Sequence, residues 1–403
     1  MTVLFGHPGG NPNSHHAALA HFEAGRLEAF CVPWMPSKTL LHMLEHSGPM
    51  RNIARRLNRR HFPPLANAPK VQGRIGELRR LSIRALGRGD EGLSYEANDW
   101  LMRTMARECR RAAVTAVHAY EDCSLRQFAE AKRLGKACIY DLPIGYYPAW
   151  EQTQKELACK YVDWLPPDGL PSSHHVRPQQ KCEEMRLADL VLVPGTFVEK
   201  TVRAFHPDKI VAHAAYGVDL EFWNPPIEKV ESRSLRFLYA GQLSLRKGIP
   251  LLLDAWRRAD LGDAELHLVG TWGLAATKRS EWPPGVTWSS PCSSGELLER
   301  YRAADVFVFP SFFEGRALVL GEALACGLPV IASLASGAED FIDERCGRLV
   351  ATGSLEELVE AFRWFEHNRD KLPLMRREAR ARAEQCTWEE YRQAVVEAVS
   401  PIV

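Results

Sequence analysis

The sequence contains no apolar run approaching the ~18–20 residues needed to span a bilayer, so any membrane contact would be peripheral. Its ten cysteines stand singly between Cys31 and Cys386, and none shows the two-residue spacing of a structural zinc site or a redox dithiol. A Walker A motif is missing, and GHPGGNPN, after the first apolar stretch, is not a dinucleotide fingerprint. No carboxylate pair is spaced to hold a divalent cation. Charge of one sign is nearly absent in sum: 51 Lys and Arg against 50 Asp and Glu leave +1. The start, MTVLFGHPGG, reads as a strand and a glycine turn, not an export leader, so reduced thiols in a cytoplasmic protein are expected.

The balanced total hides a local excess. Between residues 51 and 88 lie Arg51, Arg55, Arg56, Arg59, Arg60, Lys70, Arg74, Arg79, Arg80, Arg84 and Arg88, with Glu77 among them. Such a block is either a solvated helical face or an attraction for an anionic surface, whether lipid headgroups, nucleic acid or a phosphorylated acceptor. Nucleic acid is the least supported of these, because no aromatics are interleaved to stack bases.

A length of 403 residues favours two domains. Short apolar runs alternate with longer amphipathic segments, the pattern of parallel strands covered by helices. Strands are expected at 3–5, 27–32, 113–118, 137–140 and 190–193, with helices at 16–24 and 124–134. Residues 36–105 carry little strand signal and read as a helical, basic elaboration. In the second half, strands at 235–240, 264–269, 306–309 and 329–332 alternate with helices at 249–258, 295–303, 318–325 and 355–367. The stretch 216–233 reads as a junction. The fold class is therefore α/β, with two doubly wound, Rossmann-like units, 1–215 and 216–385. Ligands of such sheets lie outside the carboxyl ends of the strands.

The most informative run is VFVFPSFFEGRALVLGEALACGLPVIAS, residues 306–333. A strand ends at Pro310, a loop carries Glu314 and Gly315, and Glu322 follows about two turns into a helix. Gly315, Arg316, Ala317 and Leu318 fall at the helix start, where unpaired N–H groups favour a phosphate or sugar oxygen. Ionised carboxylates accept bonds from hydroxyl pairs, as recognition of a hexose and a ribose requires. Alone, these two glutamates could equally be a helix cap and a solvated side chain. In FLYAGQLSLRKGIPLLLDAW, residues 237–256, Arg246 and Lys247 precede a helix, a placement suited to clamping a diphosphate.

Together these runs resemble glycosyltransferase family 4, the retaining GT-B enzymes: Pro310, Ser311, Glu314, Gly315, Glu322, Ala323, Ala325, Gly327, Pro329 and Val330 follow its signature. Departures are Arg316 and Ala317 after Glu-Gly, Gln242 where the family commonly has arginine, and Tyr120 at the second position of its His-x-His. The resemblance implies two domains facing across a cleft, the first binding an acceptor, and residues 386–403 crossing back to it. Lys247 and Arg246 would stabilise the diphosphate, Glu314 hold sugar hydroxyls and Glu322 the ribose. Gly9 and Gly10 would reach phosphate and acceptor, and Gly270, Thr271 and Pro291 lie in the base-binding loops. His118 is the catalytic histidine candidate, with His15 and His16 competing. The implied donor is a nucleoside-diphosphate sugar, the acceptor an unidentified hydroxyl, lipid-linked or saccharide, and no metal is expected. An epimerase or phosphorylase on the same fold, or a non-catalytic nucleotide-sugar binder, remains open.

Overall fold

A computed structural model describes residues 2–47, 51–58, 60–85, 91–166, 169, 177–228 and 233–402. Of the basic block, the side chains of Arg51, Arg55, Arg56 and Arg84, and Arg59 and Arg88 altogether, lie outside the described residues.

Two parallel sheets organise the chain. The first holds β1 (Thr2–Gly6), β2 (Leu27–Val32), β3 (Lys70–Gln72), β4 (Val114–Tyr120), β5 (Ala137–Asp141), β6 (Leu190–Val193) and β7 (Val211–His213) in the order β3-β2-β1-β4-β5-β6-β7. The second holds β8 (Arg236–Ala240), β9 (Glu265–Val269), β10 (Val286–Ser289), β11 (Val306–Phe309), β12 (Val330–Ser333) and β13 (Gly347–Val350) in the order β10-β9-β8-β11-β12-β13. Central strands such as β6 (LVLV) and β11 (VFVF) are apolar throughout because helices cover both sheet faces. Each order reverses direction once, beside β1 in the first sheet and beside β8 in the second. Those reversals leave crevices at the carboxyl ends, which the loops after β1, β8 and β11 line.

The chain passes between the halves twice. Val218 donates its N–H to the Cys386 carbonyl at 2.9 Å, and Val218 bridges Thr387 in parallel, so the two passages run side by side. Beyond them the helix Trp388–Val399, begun by a Thr387/Glu390 capping box, packs on the helix Pro12–Glu23. Tyr391 and Val395 join the core of the first half there, and Arg392 pairs with Glu23 at 2.7 Å.

A second seam joins the loops of the two halves. Gly145 donates its N–H to the Glu314 carbonyl at 3.1 Å, and Ile144 bridges Gly315 in antiparallel fashion. Phe313 packs between Trp150 and Phe197, at 5.3 and 5.4 Å. Asp340 accepts the Thr196 N–H at 2.9 Å, and Lys200 pairs with Glu339 at 2.6 Å. No described helix is long and apolar enough to cross a membrane.

Candidate functional site

The loops after β8 and β11 meet in a compact polar cluster. Gly248 makes this possible: its φ is +75°, and a Cβ there would lie 2.2 Å from the Pro310 carbonyl oxygen. Only glycine lets the basic loop pass so close to the end of β11. Phe312 N–H then donates to the Arg246 carbonyl at 2.7 Å, fixing one loop to the other.

On that support, one carboxylate oxygen gathers three donors. Glu314 Oε1 lies 2.5 Å from Lys247 Nζ, 2.7 Å from Arg246 Nη1 and 2.8 Å from Ser311 Oγ. Arg246 Nη1 also donates to the Phe313 carbonyl at 2.7 Å. The Lys247 ammonium stands 4.8 Å from the centre of the Phe309 ring. Burial pushes Lys247 below its ordinary pKa, and the Glu314 carboxylate opposes that shift. Two cations on one carboxylate leave an uncompensated positive charge, which suits a polyanionic ligand.

The neighbouring helix Leu318–Ala325 presents Glu322 about one turn in. Leu318 and Glu322 line a cavity of about 320 Å³ with Pro12, residues 217–219, Phe222, Trp223, Ser294 and Trp388, so both halves contribute. Lys247 is not among its lining residues. The loop 314–318 runs from the ion-pair cluster to this cavity. Desolvation pushes the half-buried Glu322 carboxyl up to about 7, and the Tyr301 hydroxyl, 3.2 Å away, acts in the opposite sense.

Several expected site residues are also held by contacts within the protein. Gly315 is packed backbone to backbone: a Cβ would meet the Pro143 carbonyl oxygen at 1.8 Å. The Ala317 N–H is not open to a phosphate, because it donates to the Ser336 carbonyl at 3.2 Å. Arg316 turns away from Glu314. It is buried at the paired passages, donates to Cys386 Sγ at 3.2 Å and stacks on Phe341 at 3.9 Å. Gly270 lies against the Gly241 carbonyl, which leaves no room for a side chain, and accepts the Trp288 indole N–H at 3.0 Å. The Thr271 carbonyl is taken by Leu243 N–H at 2.9 Å, whereas Pro291 is exposed in its loop.

His118 is the clearest correction. Its pattern position suggested a cleft residue, yet the ring is wholly enclosed. It lies 2.9 Å from His21, edge-on to Phe5, with its Nε2 3.4 Å from Asp141 Oδ2. Burial drives its pKa to about 3, so it is neutral at physiological pH. Asp141, equally enclosed, is pushed up to about 8 by desolvation and faces the Tyr120 hydroxyl. Of the competing histidines, His16 stacks on Trp388 at 4.4 Å and His15 on Phe62 at 5.0 Å. Residues that sequence reasoning left aside are Ser311 as a direct partner of Glu314 and His7 beside the glycine loop. The Pro-Ser pair at the end of β11 was the available signal for the first; nothing marked the second. Gly9 and Gly10 follow β1 and sit against His7 and Arg60 respectively. Among the described residues no group of three or more His, Cys, Asp or Glu side chains is placed to hold a metal ion.

A family model described as glycosyl transferases group 1 matches residues 224–383. Sulfoquinovosyl transferase SQD2 of Arabidopsis thaliana is 28% identical over 227 residues, covering 50% of this chain and 42% of that protein. A GDP-mannose-dependent alpha-mannosyltransferase of Mycobacterium tuberculosis is 31% identical over 202 residues, covering 48% and 52%. The chain thus spans about half the length of the curated relatives it matches. Among solved structures, sucrose-phosphate synthase from Thermosynechococcus elongatus superposes with a TM-score of 0.65 at 17% identity over 98% of each chain. HepE of Anabaena, in complex with UDP-glucose, gives 0.61 at 15% identity over 100% of both. These likenesses are those of the GT-B fold.

Proposed function

From the match of residues 224–383 to the glycosyl transferases group 1, we propose that the whole chain transfers a sugar from a nucleoside diphosphate to an acceptor hydroxyl. The observation that carries the reading is the convergence of Lys247, Arg246 and Ser311 on Glu314 Oε1. When a donor enters, its diphosphate takes over the two cations, and Glu314 is freed to accept sugar hydroxyls. Glu322, on the cavity wall, accepts the ribose hydroxyls.

In the reaction the bond between the anomeric carbon and the phosphate oxygen breaks, and the acceptor oxygen bonds to that carbon on the same face, with retention. The acceptor proton passes to the departing phosphate, so no protein base is required. Charge on the nucleoside diphosphate is stabilised by Lys247 and Arg246 without a metal. His118 takes no part.

The acceptor is read as lipid-linked or saccharide, handled by the first half in a cytoplasmic, membrane-peripheral setting. Support for docking comes from exposed Met43, Ile75 and Leu78, on the helices Lys38–His46 and Arg74–Ala85, beside exposed Arg74 and Arg79. A screen of nucleoside diphosphates and their sugars by thermal shift tests the donor reading, since a ligand raises stability in proportion to its affinity. A stabilising nucleoside diphosphate supports it; no shift with any of them overturns it. Incubation with the donor alone separates the alternatives, because an epimerase changes the sugar and a transferase does not.

A further inference from the structure

The paired passages enclose a cation that lacks a counter-charge. Arg316 is only 8% exposed, and its contacts are a sulfur and a ring. Its Nη2 donates to Cys386 Sγ at 3.2 Å, and the guanidinium carbon lies 3.9 Å from the centre of the Phe341 ring. Among the described residues no carboxylate pairs with it. Asp340 bears on it only from further off, and that carboxylate already accepts the Thr196 N–H at 2.9 Å. Arg80, equally buried, shows the usual arrangement, with Glu77 at 2.8 Å. A thiol and a ring face offer weak acceptors, and a guanidinium has more donors than one sulfur can satisfy. A buried charge in that state is costly unless something supplies the opposite sign. Burial accordingly pushes the Arg316 guanidinium below its ordinary pKa, with Cys386 and Asp340 opposing the shift.

A second observation shows where the opposite charge would sit. A cavity of about 10 Å³ lies against Arg316, with Cys386, Phe341, Gly217, Val218 and Gly321 among its walls. That is room for one particle about the size of a water molecule, too little for a phosphate or a sugar. Glu322 and Trp388, which line the larger cavity, are not part of it, and neither are Lys247 and Glu314. Both passages contribute, because Val218 and Cys386 are the two residues joined by the 2.9 Å backbone bond. A water there would satisfy donors and leave the charge standing. A small anion would do both.

We propose that Arg316, with Cys386, Phe341 and the paired passages around them, forms a binding site for one chloride-sized monovalent anion. The site is independent of the sugar-transfer reading and stands whether or not a donor binds. An ion held there touches both chain passages at once, so its binding tightens the junction between the halves.

The full chain is melted in sodium chloride, sodium bromide and sodium gluconate at equal ionic strength, gluconate being too bulky for the cavity. The melting temperature should be higher in either halide by at least about 2 °C, in a rise that saturates with halide concentration. Arg316→Met keeps an unbranched stem on Phe341 and removes the charge. Gly321→Ala keeps the charge and adds a Cβ whose nearest neighbour is Val218 Cβ at 3.6 Å, so it takes up cavity space without a clash. Both variants should melt alike in halide and gluconate. Crystals grown in bromide should show an anomalous scatterer against Arg316. Identical melting of the wild-type chain in the three salts overturns the proposal and leaves the cavity to water. A halide effect that survives in both variants places the ion elsewhere and overturns it too. Should Arg316→Met fail to fold, or the two variants disagree, the bromide position decides: a peak against Arg316 supports the site, and none there overturns it.

Discussion

Lys247 Nζ stands 2.5 Å from Glu314 Oε1, so the cation proposed to hold the donor diphosphate is paired with the carboxylate proposed to hold the sugar. The pair is satisfied before any ligand arrives, and a donor must exchange partners on both sides at once. Lys247→Ala is expected to lower kcat about 10²-fold, the scale of losing one preorganised charge contact. Glu314→Gln should raise donor KM as well, because the sugar loses its acceptor oxygen. Unchanged turnover of Lys247→Ala under saturating donor would remove the clamp from the mechanism.

Glu322 is pushed up to about 7, so only above that pH is it fully ionised and able to accept two ribose hydroxyls. Donor KM should therefore fall as pH rises from 6 to 8. Glu322→Gln should show a weaker, pH-independent KM over the same interval. A steep slope persisting in that variant would place the titration elsewhere.

Asp141 offers a stability test with a definite sign. Its folded pKa, about 8, stands above the usual 3.8, so the folded state holds the proton more tightly than the unfolded chain. The resulting contribution is fully present below the unfolded value and is lost as pH rises through about 8. Asp141→Asn, which cannot ionise, should gain melting temperature relative to wild type between pH 6 and pH 9. Parallel melting curves across that range would show that the carboxyl is not held neutral.

Gly315→Ala would drive a Cβ to 1.8 Å from the Pro143 oxygen, too close for relaxation without moving a backbone. The seam at Ile144–Gly315 should open, with kcat/KM reduced at least about tenfold by misplacement of Glu314. Circular dichroism should remain that of the wild type, since each sheet keeps its own core. Full activity in this variant would mean that the seam has no part in positioning.

Transfer should continue undiminished in excess EDTA, because Lys247 and Arg246 supply the positive charge. Activity lost to the chelator and restored by magnesium or manganese would require a different account of the leaving group.

The strands show which parts of the fold a sequence can disclose. Those at 27–32, 190–193 and 306–309 coincide with β2, β6 and β11. Four strands escaped notice: Lys70–Gln72, Val211–His213, Val286–Ser289 and Gly347–Val350. These are the four edges of the two sheets. An edge strand is covered on fewer sides, so it can be three or four residues long and carry lysine, histidine or arginine without an apolar run. In the site, Lys247 and Glu314 stand in a family pattern and Arg246 beside it where Gln242 departs, and the structure brings the three side chains together. Arg316 misled because an arginine after Glu-Gly fits a diphosphate site equally well on paper. Its direction is set by Phe341 and Cys386, which lie 25 and 70 positions further on. His118 was misplaced for a related reason: β4 continues to Tyr120, which puts the histidine one layer below the strand end.

The paired passages at Val218 and Thr387 mean that the first half is not a contiguous piece of sequence. A fragment ending at residue 215 would lack Tyr391, Val395 and Val399, and the apolar bed they fill would face water. Expressed that way, it should precipitate for want of its last helix. A permuted chain that places residues 386–402 ahead of Thr2 would carry its own cover, and with it the first half could be studied apart from the second.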